Sequence, residues 1–151
     1  GIHCPALHLV ATDISPLALR VAGRNAARHG LQDRLTLLEC DLLPPAEVSP
    51  GRFNLIVSNP PYIPTETLRG LPIYGREPTL ALDGGPDGLQ VISRLLSQAS
   101  GRLERGGLLL VEIESSLGQA VLSLAEQSFP LSWLEIRKDL LGLDRLLVVR
   151  N

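Results

Sequence analysis

Apolar residues along this chain fall into two rhythms, one of strands and one of helices. Leu7-His8-Leu9-Val10-Ala11-Thr12 reads as a strand ending at Asp13, and Ser15-Pro16 opens a helix with a capping hydroxyl and proline at the first helical position. Leu17, Val21, Ala22 and Ala26 make the apolar face of that helix, and Gly30 ends it. Leu35 to Cys40 is a second short strand, stopping at another acid, Asp41, before the loop Leu42-Leu43-Pro44-Pro45. Phe53 to Ser58 is a third, and it runs directly into Asn59-Pro60-Pro61-Tyr62. From Pro64 to Gly88, proline and glycine recur too often for a regular element. Helical spacing returns with Leu89, Ile92, Leu96, Ala99 and Leu103, a stripe ended by Gly106-Gly107. Leu108 to Ile113 is the aliphatic run of a strand covered on both faces. Leu117 to Ser128 predicts a helix, and Leu131 to Arg137 and Arg145 to Val149 predict two last strands. Their short connection, Lys138 to Asp144, makes them antiparallel.

Strands alternating with helices and closing in a hairpin predict an α/β sandwich, parallel except at one edge. Ligands of such sheets bind beyond the carboxyl ends of the parallel strands, where Asp13, Asp41 and Asn59 fall. The 151 residues, 44% hydrophobic and 20% charged, suffice for one domain. A net charge of −2 with no basic stripe disfavours a nucleic-acid partner. Cys4 and Cys40, far apart and without a CxxC or a histidine pair, predict two reduced, buried thiols and no metal site. No apolar run is long enough to span a bilayer and no signal pattern opens the chain, so a soluble cytoplasmic protein is expected. Methionine is absent and residue 1 is Gly, which points to a processed chain or a piece of a longer one.

Three features carry chemistry. Asp13, at a strand end, can accept hydrogen bonds from the vicinal hydroxyls of a ribose, or serve as a turn acid beside Ser15. Asp41 repeats the arrangement, suited to an exocyclic amine, or again to a cap. Asn59-Pro60-Pro61-Tyr62 places a side-chain carbonyl, a backbone carbonyl and a ring face together on a backbone whose prolines fix φ. A planar NH2 group has two donors, which the Asn59 side-chain oxygen and the Pro60 carbonyl can accept while Tyr62 lies against its flat face. The plain alternative is a rigid loop with a packed tyrosine.

With Asp13 and Asp41 before it, Asn59-Pro60-Pro61-Tyr62 resembles the signature of class I S-adenosylmethionine-dependent methyltransferases acting on planar nitrogen, in adenine of DNA, bases of RNA or glutamine of protein. The segment from Arg76 to Leu89, the segment from Lys138 to Arg145, and Ala11-Thr12-Asp13-Ile14-Ser15-Pro16 with Ala18-Leu19 and Asn25-Ala26 are similar to the HemK-type release factor glutamine methyltransferases. That resemblance implies a three-layer Rossmann-like sandwich, its sheet mostly parallel with a carboxyl-terminal antiparallel hairpin. It implies S-adenosylmethionine as cofactor and, as substrate, the glutamine of the Gly-Gly-Gln motif in peptide chain release factors. Asn59, Pro60, Pro61 and Tyr62 would be catalytic, while Asp13, Asp41, Leu42 and Asn59 would hold the cofactor. The alternatives are an amino-methyltransferase acting on adenine or another base, and a non-catalytic truncated module.

Two departures stand out. After Glu112-Ile113 the family continues with Gly and, three residues on, Gln, where this chain has Glu114 and Leu117, a change expected to alter the sheet's carboxyl edge or the pocket entry. The family's first strand and glycine-rich loop should precede Gly1, and no GxGxG occurs. Residues 1–151 are therefore expected to be the carboxyl-terminal portion of a single catalytic domain, poor at binding cofactor alone.

Overall fold

In the computed structural model, which describes residues 1–151, the chain divides into two units, Gly1–Pro50 and Gly51–Asn151. The first is a β-α-β unit: β1 (Leu9–Asp13), α1 (Pro16–Arg28) and β2 (Leu35–Glu39), with β1 and β2 parallel and Leu9 opposite Leu35, Asp13 opposite Glu39. The start of α1 follows from its sequence. Ser15 Oγ accepts from the Ala18 amide at 3.3 Å, and Pro16 occupies the first turn, where its missing N–H costs nothing. Gly30, at φ 64°, turns the chain just beyond the helix end.

Two expectations for this unit are corrected. Leu17 and Val21 are exposed (64% and 46%), whereas Ala26 is buried and Ala18 and Ala22 half-buried. The inward row is thus Ala18, Ala22 and Ala26, and small residues let the helix approach β2 so closely that a Cβ on Gly23 would lie 3.3 Å from Leu37. The thiols are free but not buried, because Cys4 lies exposed in the turns ahead of β1 and Cys40 half-buried in the loop after β2.

The second unit contains β3 (Phe53–Ser58), α2 (Thr65–Gly70), α3 (Gln90–Ser100), β4 (Leu103–Glu112), α4 (Gly118–Ser128), β5 (Trp133–Lys138) and β6 (Asp144–Arg150). Its sheet runs β3-β4-β6-β5, with β3 and β4 parallel and β6 antiparallel to both its neighbours. The closing antiparallel hairpin is as expected, and β6 lies inside the sheet while β5 takes the edge. Ile92, Leu96, Leu109, Ile113, Val121 and Leu147 are wholly buried here, each worth about 1.5–3 kcal/mol of transfer free energy. No helix is long and apolar enough to cross a membrane.

Two further expectations change. Leu103 does not continue the stripe of α3, since the helix ends at Ser100 and Leu103 instead pairs with Phe53 at the start of β4. Pairing across the sheet overrides a spacing that fits a helix equally well. The segment from Pro64 to Gly88 contains α2 and a single helical turn at Thr79–Ala81. Pro64, with φ −58°, is already set for a helix start, its carbonyl accepts from the Leu68 amide at 2.9 Å, and Leu68 is buried.

Candidate active site

In the second unit β3 ends at Ser58, opposite Val111 of β4, so Glu112 closes β4 beside the start of the Asn59-Pro60-Pro61-Tyr62 turn. Asn59 is exposed, Pro60 buried, and Pro61 and Tyr62 half-buried. The prolines fix φ at two successive positions and bring no N–H that would need a partner. The segment after Tyr62 is held by a second, distant stretch. The Ile63 amide donates to the Leu82 carbonyl at 3.0 Å, the Gly84 amide to the Ile63 carbonyl at 2.9 Å, and the Thr65 amide to the Gly85 carbonyl at 3.0 Å.

Tyr62 Oη donates to Glu112 Oε1 at 3.5 Å, the outer limit of a hydrogen bond. Burial, then the Glu112 charge, pushes the phenol above its ordinary pKa, opposed by Arg145. Arg145 of β6 is held by donating to the Ile113 carbonyl at 3.2 Å and, through Nε, to Asp139 Oδ2 at 3.3 Å. Glu114 folds back on its own chain. It accepts from the Ser115 hydroxyl at 2.8 Å, the Ser116 amide at 2.7 Å and the Ser116 hydroxyl. Burial works against its charge, but these bonds outweigh burial and hold its carboxyl below the usual range. It therefore starts the turn before α4, while Leu117 packs beside Gly88.

In the first unit Asp13, Asp41 and Leu42 come from neighbouring strand ends. The Cys40 amide donates to the Asp13 carbonyl at 3.2 Å, and Thr12 Oγ1 to the Leu42 carbonyl at 2.6 Å. Asp13 Oδ1 accepts from the Ser15 amide at 2.8 Å, so the turn reading of this acid is realised while Oδ2 is uncommitted to that bond. Leu42 sits at φ 65°, the left-handed region that a leucine rarely adopts, and the Thr12 bond fixes it there. Burial, then the Asp41 charge, raises the pKa of the Cys40 thiol.

Residues 2–69 match the methyltransferase small domain family. Over 144 residues the chain is 48% identical to a release factor glutamine methyltransferase of Moorella thermoacetica, covering 95% of this chain and 50% of that protein. It is thus similar, over most of its own length, to part of a protein of that name. A ribosomal protein uL3 glutamine methyltransferase of Neisseria gonorrhoeae is 42% identical over 134 residues, covering 88% of this chain and 43% of that protein. The chain spans about half the length of the curated relatives it matches. Among solved structures, a methyltransferase from Pyrococcus furiosus superposes with a TM-score of 0.66 at 19% identity over 95% of this chain and 62% of that one. The Thermus thermophilus 16S rRNA N2 G1207 methyltransferase, in complex with AdoMet and guanosine, gives 0.63 at 17% identity over 95% and 31%. The fold is the Rossmann-like one of class I methyltransferases.

Two residues escaped the reading of the sequence as site residues. Glu112 had a visible signal, being an acid at a strand end as Asp13 is. Asp83 stands in the segment similar to the glutamine methyltransferases, but its contacts to Thr65 and Gly85 depend on a pairing that spacing alone does not disclose.

Proposed function

We propose that this chain serves transfer of the sulfonium methyl of S-adenosylmethionine to the side-chain amide nitrogen of a protein glutamine, in the cytoplasm. The proposed substrate is the glutamine of the Gly-Gly-Gln motif in peptide chain release factors. The observation that carries the reading is the exposed Asn59 at the end of β3, followed by two prolines and a half-buried Tyr62, in a chain 48% identical to a release factor glutamine methyltransferase.

The chemistry of the first unit fits the donor. Asp13 has an oxygen beyond its turn bond for ribose hydroxyls, and the left-handed Leu42 fixes the loop at which Asp41 and Leu42 would flank adenine. The donor supplies a methyl on a positively charged sulfur. The chain's own residues do the rest. An amide nitrogen is a poor nucleophile because its lone pair is delocalised into the carbonyl. Asn59 Oδ1 and the Pro60 carbonyl, each accepting one N–H, would fix that nitrogen's orientation and favour the positive charge that grows on it. Pro61 stiffens the turn and Tyr62 walls the amide slot. The nitrogen's extra proton leaves after transfer, so no strong base is required.

The 42% identity to ribosomal protein uL3 glutamine methyltransferases favours a second reading, the same chemistry on a different protein. The two separate when the intact protein is given labelled S-adenosylmethionine with a purified release factor, uL3, RNA and DNA in parallel. Label on the release factor's Gly-Gly-Gln peptide is expected. Label confined to uL3 assigns the second reading, and label on nucleic acid alone, or nowhere, overturns both.

A further inference from the structure

Prolines fix φ on either side of the Pro60–Pro61 bond, but they leave ψ free, so the direction of the chain after Pro61 has to be set by something else. β3 holds the turn at its Asn59 end; at the other end, Ile63 bridges Asp83 as a short parallel ladder. Asp83 Oδ1 accepts both the Thr65 hydroxyl at 2.7 Å and the Gly85 amide at 2.9 Å, tying the two sides of that ladder together. The Gly84 carbonyl then accepts from the Gln90 amide at 3.0 Å, which anchors the ladder to α3. The fit admits no side chain. A Cβ on Gly84 would stand 2.7 Å from Tyr62 Cα, and one on Gly88, which lies at φ +79°, would strike the Tyr62 carbonyl oxygen.

We propose that Asp83, with the turn Gly84 to Gly88, is a positioning clamp for Tyr62 and so sets the width of the amide slot; this rests on the glutamine-methyltransferase reading above. The contacts of Asp83 are to Thr65, Gly85 and Ile63, which makes it a positioning residue rather than a catalytic one. It acts by keeping the Tyr62 backbone where the slot needs its ring, and both bonds to it end on the same oxygen. An asparagine can therefore replace it, because an amide oxygen accepts both donors, whereas an alanine cannot. The Thr65 bond first, and the Gly85 bond after it, hold the Asp83 carboxyl below the usual carboxylate range, as expected of an oxygen already committed to donors.

The test uses the intact protein with Asp83→Ala and Asp83→Asn, read by steady-state methylation, donor binding by calorimetry, and amide hydrogen exchange over residues 59–65. Asp83→Ala should speed exchange in that segment and lower kcat about 10- to 100-fold, the range for misplaced reacting groups, with donor affinity unchanged. Asp83→Asn should restore both. Wild-type kcat in a folded Asp83→Ala protein overturns the proposal, as does an Asp83→Asn variant as impaired as alanine, or a fall in kcat matched by an equal loss of donor affinity. If Asp83→Ala does not fold, Thr65→Val removes one of the two donors and should give the same pattern more weakly; unchanged exchange and kcat there overturn the clamp. A wild-type protein that methylates no glutamine defeats the functional reading instead, while exchange over residues 59–65 still reports on the clamp.

Discussion

The hydroxyl of Tyr62 and the carboxylate of Glu112 meet at 3.5 Å across the ends of β3 and β4. The register brings the two strand ends together, since Ser58 lies opposite Val111 and the next residue of β4 is Glu112, and the turn after Asn59 then carries Tyr62 to it. Because burial and the Glu112 charge together raise the phenol's pKa, Glu112→Gln should lower it toward the ordinary value of about 10. The difference between the ultraviolet titrations of the wild-type protein and a Tyr62→Phe variant isolates the Tyr62 phenolate. The sign for stability follows. A folded-state pKa above the unfolded one contributes stability that is fully present below the unfolded pKa and lost as pH rises through the folded value. A titration curve that does not move would show that Glu112 exerts no hold on the phenol.

Asn59→Ala removes the proposed acceptor of one amide N–H and leaves the prolines in place. Removing one preorganised hydrogen-bonding group at a site of developing charge costs on the order of 100- to 1000-fold in kcat. Donor affinity should change far less, which equilibrium binding of S-adenosylmethionine to the variant measures. Single-turnover methylation at wild-type speed would remove Asn59 from the chemistry.

Glu114 marks a departure from the family pattern and acts as a cap. Glu114→Ala removes the acceptor that starts the turn before α4 and should destabilise the protein by about 1 kcal/mol at neutral pH, leaving kcat as it was. Its folded-state carboxyl titrates below its ordinary range, so its contribution is present above the unfolded pKa of about 4.3 and disappears as pH falls through the lower folded value. Chemical denaturation of wild type and variant at neutral and acid pH checks this, and the two stabilities should converge in acid.

Leu42 holds a left-handed backbone that a β-branched residue tolerates worse still. Leu42→Val should therefore cost roughly 1–3 kcal/mol and weaken donor binding, because the strain falls on the loop proposed to flank adenine. Leu42→Gly accepts the same φ without strain and serves as the control. Equal donor affinity in all three proteins would separate that loop from the donor.

Much of this arrangement was legible in the chain. Phe53 to Ser58 gave a strand with the bounds observed, because an apolar run stops abruptly at Asn59-Pro60. The serine-proline start of α1 was equally plain, since its capping hydroxyl and its proline are local devices. Leu103 was not, because its distance from Ala99 satisfies a helix and only pairing with Phe53 decides otherwise. Leu17 and Val21 look like a core face on apolar character alone, but the alanine row beside them packs inward because small side chains allow closer approach. At the candidate site the positions after strands could be read, whereas the left-handed Leu42 and the ties of Asp83 could not. One is a backbone angle, and the other joins residues 18 apart in sequence.

The place of β6 bears on how the chain is made. Strands β4 and β5 are complete once Lys138 has been synthesised, but they touch only through β6, which runs from Asp144 to Arg150 between them. A nascent chain that has not yet delivered Arg150 therefore carries two unjoined strand edges flanking an empty lane, the kind of exposed edge that recruits other chains. Vectorial synthesis leaves closure of this sheet to a late strand, so premature truncation anywhere before residue 144 should yield aggregation rather than a smaller stable protein.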